Sequence, residues 1–319
     1  MQVVMANSYA ILTTTTTISP SSFHSTLCTP FKVPSTISTR QHKLIAKRYS
    51  LTVKAASTPG QRDFVLEDFY SRRALKIISG LRNFNKEIVA SVVIAAQKGG
   101  ATHVDIACDP ELVKLAISLT CLPVCVSAVE PEAFVNAVEA GAQMVEIGNY
   151  DSFYETGRIF SPEEILQLTM KTRQLLPSVV LSVTVPHTLS LTDQVTLAES
   201  LETEGVDIIQ TEGGTSSDPS YPGVHGLIEK AVPTLAAAYS ISRAVRIPVM
   251  CASGLSSVTA PMAIAAGAAG VGVGSAVNKL NNQVAMIAEV KSLADALGLS
   301  SHVLNGSFIS GNQRSVPTI

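Results

Sequence analysis

Charged and amide side chains stand inside runs of Val and Ile in this chain, where they need a chemical or a structural reason. Lys76, Asp105, Glu146 and Gln210 each lie within a short apolar run, Ser182 and Thr184 share another, and His187 and Glu212 follow two such runs closely. A charge in a dry segment is costly unless it is partnered or reaches water. Carboxylates such as Asp105, Glu146 and Glu212 can hold and transfer protons, and His187 is a general acid or base near neutral pH. Lys76 is the one lysine inside any predicted strand. An imine mechanism would have to use it, and the competing expectation is an ion pair with Asp105 or Glu146.

A second group of residues could hold an anion. The segments Cys251-Ala252-Ser253-Gly254-Leu255 and Val271-Gly272-Val273-Gly274-Ser275-Ala276 place glycines and hydroxyls at the ends of two apolar runs. Glycine lets backbone N–H groups approach a phosphate, and Ser275 is where a short helix is predicted to begin. Ser253, Gly254, Gly272, Gly274 and Ser275 are therefore the expected phosphate-binding residues. The plainer alternative is that these glycines serve only tight packing of helix on strand. The pattern is not a dinucleotide fingerprint, because position 277 is Val and the segment lies late in the chain. No metal site is expected. Cys108, Cys121, Cys125 and Cys251 include no C-x-x-C pair and are expected as buried thiols.

These residues need a scaffold that brings distant runs to one place. Eight runs have strand character: Leu75–Ser79, His103–Ala107, Val124–Ala128, Met144–Gly148, Val179–Val185, Asp207–Thr211, Val249–Ala252 and Gly270–Gly274. Helical patterns separate them, which predicts βα units and a parallel sheet. A helix-ending glycine precedes strands 2, 4, 6 and 8 (Gly100, Gly141, Gly205 and Gly267), and Pro123, Pro177 and Pro248 precede strands 3, 5 and 7. Helix starts are marked by Asp109-Pro110, Ser161-Pro162-Glu163-Glu164 and Ser190 to Asp193. An open doubly wound sheet usually stops at five or six strands, so the expected fold is an α/β single (β/α)₈ TIM barrel of the phosphate-binding type. Its polar strand residues would then share one mouth. Two long loops border that mouth: Asn149 to Phe160, with Asp151, Tyr154 and Arg158, and Glu212 to Gly226, expected to act as a lid.

Charge divides the chain. No Asp or Glu precedes Asp63, while six of the 23 basic residues and many Ser and Thr fall in the first sixty positions. That composition predicts a chloroplast transit peptide over residues 1–60, cleaved near Ala55. The barrel is expected over 61–298 and a flexible tail over 299–319. Without the leader, 17 basic residues stand against 25 acidic ones, which argues against a nucleic-acid partner. No run of eighteen apolar residues predicts a membrane span. The expected compartment is the chloroplast stroma.

The part from Ala74-Leu75-Lys76 onward resembles a known family in Gly80-Leu81-Arg82-Asn83-Phe84-Asn85, Val104-Asp105-Ile106-Ala107 and Val126-Ser127-Ala128-Val129-Glu130-Pro131. Further matching segments are Ile147-Gly148-Asn149-Tyr150-Asp151-Ser152-Phe153-Tyr154-Glu155, Val185-Pro186-His187-Thr188-Leu189 and Gln210-Thr211-Glu212-Gly213-Gly214-Thr215. These are similar to the hypothetical chloroplast open reading frame twenty-three family (Ycf23) of cyanobacteria, algal plastids and plants. The resemblance implies an aldolase-type barrel in the plastid and leaves the chemistry to the residues. Three functions are compatible with them: a lyase or isomerase acting on a small phosphorylated metabolite, a non-catalytic barrel that binds such a metabolite, and an FMN-dependent oxidoreductase.

Overall fold

The computed structural model describes residues 59–154, 156–214 and 219–299. A helix, α1 (Pro59–Tyr70), precedes the first strand. Strand and helix then alternate through β1 (Ala74–Ile78), α2 (Lys86–Gly99), β2 (His103–Ala107), α3 (Pro110–Leu119), β3 (Val124–Ala128), α4 (Pro131–Glu139) and β4 (Met144–Ile147). Two helices follow β4, the short α5 (Asp151–Tyr154) and α6 (Pro162–Leu175). The chain continues through β5 (Val180–Val185), α7 (Leu191–Thr203), β6 (Ile208–Thr211), α8 (Gly223–Ala244), β7 (Val249–Ala252), α9 (Ala260–Ala266) and β8 (Gly270–Val273). It ends in the single turn α10 (Ser275–Asn278) and in α11 (Gln283–Ala296).

Every strand pairs in parallel with its neighbours in sequence, and β8 closes on β1 with Ala74 opposite Gly270 and Lys76 opposite Gly272. The eight expected strands are present within a residue or two of their predicted limits. The local signals act as their chemistry requires. Asp109 accepts from the N–H groups of Glu111 and Leu112, Ser161 accepts from that of Glu164, and Ser190 from that of Asp193. Gly100 and Gly267 end α2 and α9 in the left-handed region, at φ 87° and 117°, which favours a residue without a Cβ.

Two apolar layers result from the alternation of side chains along each strand. Leu75, Val104, Val126, Val145, Leu181, Ile209 and Val271 point outward, under the helices. Ala74, Cys125, Met144, Val180, Ile208 and Met250 fill the lower end of the barrel, together with Val65, Leu66 and Phe69 of α1. Helix α1 is thus a plug at the N-terminal end of the strands. The His103 Nε2–H donates to the Val65 carbonyl at 2.8 Å, and its ring lies 4.9 Å from that of Phe69. Arg62 pairs with Asp207, which also binds Arg173 at 2.6 Å. Sequence patterning gave no sign of this helix. Its apolar residues run nearly all round it, so no one face stands out, and Phe64 and Tyr70 remain exposed.

One expectation about cysteine needs correcting. Cys125 and Cys251 are buried, but Cys108 is only partly buried and Cys121 is exposed, with its sulfur 3.3 Å from Gln97 Oε1 on the loop that leads into β3. Among the described residues, no helix is long and apolar enough to cross a membrane.

Candidate active site

Above the apolar layer the barrel interior turns polar. Lys76 on β1 reaches across to Glu146 on β4 and forms an ion pair in which both side chains are fully buried. Glu146 Oε1 also accepts from Thr184 Oγ1 at 3.2 Å and from the Gln210 amide. Asp105, equally buried, accepts from Ser127 Oγ at 2.7 and 2.8 Å and from Asn149 Nδ2 at 3.3 Å. Burial pushes the Asp105 carboxyl up to about 7; Lys76 opposes the rise and Glu146 adds to it. Burial pulls the Lys76 amine down, but the neighbouring carboxylates outweigh it, led by Glu146, and the amine is held protonated. An imine role would need a neutral amine in contact with substrate space. Lys76 is charged, paired with Glu146, and does not line the cavity above.

That cavity, of about 320 Å³, opens at the C-terminal ends of the strands. Asn149, Thr184 and Gln210 form its floor, so Asp105 and Glu146 lie one hydrogen bond beneath it. Asn149 holds its position with a left-handed backbone, φ 61°, which Asn tolerates better than most residues. Glycine at 148 is obligatory, because a Cβ there would sit 2.0 Å from Thr184 Oγ1.

One wall is acidic. Glu212, directly after β6, is 4% exposed, and its Oε2 accepts from Tyr154 OH at 2.7 Å and bonds to His187 Nδ1 at 2.9 Å. The His187 backbone N–H donates to the same oxygen at 3.2 Å. Asp151 of α5 stands 4.0 Å from His187 Nδ1. Burial, and then the neighbouring Glu212, raise Asp151 to about 6. The hydrogen bond to Glu212 raises the His187 imidazole above its ordinary value, against partial burial. Glu212 and Asp151 line the main cavity, whereas His187 opens onto an adjoining hollow with Tyr154 and Thr188. Gly214 borders both.

The side of the cavity at β7 and β8 carries donors and cations. Ser253, Gly254, Gly272, Gly274 and Ser275 all line the cavity there, with Lys230 of α8 and Lys279 at the end of α10. Ser253 and Gly254 are consecutive left-handed residues, φ 80° and 68°. A Cβ at 254 would meet the Lys230 carbonyl at 2.4 Å. A serine in that conformation is strained, and such strain is typical of ligand-contacting turns. Helix α10 begins at Ser275, and the first N–H groups of a helix have no partner inside it. The five glycine and serine positions differ in kind. A Cβ at 272 would lie 3.0 Å from Ala252 Cβ and 3.1 Å from Ile78 Cδ1, so Gly272 also serves packing; at 274 the nearest atom is the Ile78 carbonyl at 3.3 Å.

The expected single mouth thus resolves into two tiers. Asp105, Glu146 and Lys76 form the buried lower tier; Glu212, Ser253, Gly254, Gly272, Gly274 and Ser275 face the cavity, and His187 reaches it through Glu212. Sequence reasoning missed Ser127, Lys230 and Lys279, and noted Asn149, Asp151 and Tyr154 only as members of a long loop. The loop after β6 is shorter than expected, because α8 starts at Gly223. Thr215, Ser216, Ser217 and Asp218, the middle of the expected lid, lie outside the described residues, as do the expected transit-peptide cleavage point and nearly all of the expected tail.

Comparison with known proteins agrees with the fold. A solved 3-hexulose-6-phosphate synthase superposes with a TM-score of 0.51 at 17% identity, covering 70% of this chain and 99% of that one. At that identity the likeness is one of fold. Relatives by sequence are closer. The "Uncharacterized protein ycf23" of Cyanophora paradoxa is 43% identical over 231 residues, 72% of this chain and 95% of its own length. Its counterpart in Pyropia yezoensis is 38% identical over 233 residues, 73% and 85% of the two lengths. Residues 61–303 match the family described as "Protein of unknown function (DUF561)". The chain is therefore a member of the DUF561 family, and its Ycf23 relatives are similar to it over most of their own length.

Proposed function

We propose that this barrel binds a small phosphorylated metabolite and acts on it as a lyase or isomerase in the plastid stroma. The carrying observation is that one cavity gathers both kinds of group: Lys230, Lys279 and the Ser253–Gly254 and Gly274–Ser275 backbones around the ends of β7 and β8, and Glu212 and Asp151 from the loops after β6 and β4. A phosphate held by the first group presents its carbon skeleton to the carboxylates of the second, as proton abstraction beside a carbonyl requires. Glu212 is the proton-transfer group in contact with substrate, and His187 and Tyr154 set its charge and orientation. Lys76, Asp105 and Glu146 act as positioning residues beneath the floor, through Asn149, Thr184 and Gln210. About 320 Å³ suits a compact ligand, at the low end of the roughly 300–1,000 Å³ typical of small-molecule sites. The acidic balance of the chain beyond residue 60 and the acid-free leader support an imported stromal protein without a nucleic-acid partner.

The test is a thermal-shift panel of sugar phosphates, with FMN as the probe for the flavin reading. Gly274→Asp places a carboxylate where the phosphate would sit; its Cβ approaches the Ile78 carbonyl to 3.3 Å, so the backbone there must give by a few tenths of an ångström, and circular dichroism checks that the variant is folded. Stabilisation by a sugar phosphate that Gly274→Asp abolishes is the expected result. An undiminished shift removes the phosphate assignment. Binding with no chemical change in the ligand after long incubation makes the protein a sensor rather than an enzyme.

A further inference from the structure

We infer that Asp151, His187 and Glu212 form a divalent-cation site on the acidic wall of the cavity. The three come from the loops after β4, β5 and β6, so no spacing along the chain reveals them. Each offers one ligating atom, and these atoms all lie within 4.8 Å of one another. The distances suit an ion. Around a metal with bonds of about 2.1 Å, cis ligands stand about 3 Å apart and trans ligands about 4.2 Å apart. His187 Nδ1 is 2.9 Å from Glu212 Oε2 and 4.0 Å from Asp151 Oδ1.

A second observation is independent of the clustering. Glu212 is buried and lines the cavity, yet its Oε1 has no hydrogen-bond partner, and Asp151 Oδ1 has none either. A buried carboxylate oxygen left unsatisfied is costly, and one such oxygen on each of two carboxylates that flank an imidazole calls for a cation more than for a further donor. An ion there takes the place of the proton now shared between His187 Nδ1 and Glu212 Oε2. The surroundings support the ligands as a metal site requires. Tyr154 OH fixes Glu212 Oε2 at 2.7 Å, and its ring meets the imidazole edge-on with centroids 5.1 Å apart. Two carboxylates and one imidazole suit a first-row divalent ion such as Mn²⁺. Its remaining positions would face the cavity, where, on the proposed function, adjacent oxygens of a sugar phosphate could bind it.

The experiment titrates the metal-stripped full-length protein with Mn²⁺ alone and follows free Mn²⁺ by electron paramagnetic resonance. One saturable site per chain is expected. Asp151→Asn and Glu212→Gln should each weaken it at least about tenfold, in line with the cost of losing even outer-shell support. The exposed Glu163→Gln should leave it unchanged. Circular dichroism confirms that each variant is folded, and the half-exposed Asp151 keeps one informative variant available should Glu212→Gln not fold. Absence of saturable binding, or equal affinity in wild type and folded Asp151→Asn, overturns the site. No phosphate ligand is present, so the outcome is separate from that of the phosphate test: Mn²⁺ binding without any sugar-phosphate shift sinks only the proposed function.

Discussion

Replacing Lys76 by Met separates a structural role for this lysine from a reactive one. Both Lys76 and Glu146 are fully buried, and Met has nearly the volume of Lys without the ammonium. The variant leaves the Glu146 carboxylate with only Thr184 and Gln210 as donors and with Asp105 close by. Removing one partner of a buried ion pair costs about 3–5 kcal/mol, against total stabilities of about 5–15 kcal/mol. We expect Lys76→Met to lose about that much in urea denaturation at pH 7.5, followed by far-ultraviolet circular dichroism. Adding Glu146→Gln removes the stranded charge and keeps an acceptor for Thr184. The double variant should therefore recover about 2 kcal/mol or more of the loss. Should the single variant prove insoluble while the double one folds, the conclusion is the same. A loss below about 1 kcal/mol, or a double variant no more stable than the single one, would refute the reasoning and leave the amine free for chemistry.

Three further outcomes follow from the geometry. Burial pushes the His103 imidazole down from 6.5 to about 4, so the folded protein binds that proton more weakly than the unfolded chain does. Its contribution is intact above pH 6.5 and is lost as pH falls toward 4, by about 3 kcal/mol over the window. The stability difference between wild type and His103→Gln should change with pH there, and a constant difference would contradict the burial argument. Phe69→Ala empties a fully buried site in the plug and should cost about 3–5 kcal/mol in the same assay; a loss under 1 kcal/mol would mean that α1 does not seal the barrel. Gly254→Ala combines a left-handed φ of 68° with a 2.4 Å approach to the Lys230 carbonyl and should cost at least about 2 kcal/mol, whereas a neutral substitution would show that the turn is free to relax.

The fold was legible because its signals are local and repeated. Val- and Ile-rich strands, glycine after one set of helices and proline after the other, and caps at Asp109, Ser161 and Ser190 each depend on a few adjacent residues. The candidate site was legible only in part. Asp105 and Glu146 stood out as charges inside apolar runs, but nothing in their neighbourhood tells which depth of the barrel a residue occupies. The register of closure sets that depth, and it puts both one layer below the cavity. Lys230 and Lys279 look like ordinary surface lysines on helices, and only the convergence of loops after β6, β7 and β8 makes them rim cations. Asn149 stands in the sequence only as the start of a long loop, and its left-handed backbone turns the side chain down onto Asp105. Asp151, His187 and Glu212 are spaced by a whole βα unit at each step, which hides them from any linear motif.

The plug formed by α1 carries a consequence for the order of assembly. This helix precedes every strand, yet its partners are His103 on β2 and Asp207 just before β6, while Arg72, at its end, donates to the Ala268 carbonyl ahead of β8. A chain synthesised or imported from its N-terminus delivers α1 first, while the residues that receive it arrive one by one from β1 through β7. The helix has little amphipathic character to stabilise it alone, and its seat is complete only once the sheet has closed. Until then Met144, Ile208 and Met250 line an open-ended tube that another chain can enter, and this is the stage at which aggregation competes with folding. Docking of α1 is accordingly expected to come late, with chaperone dependence concentrated before it.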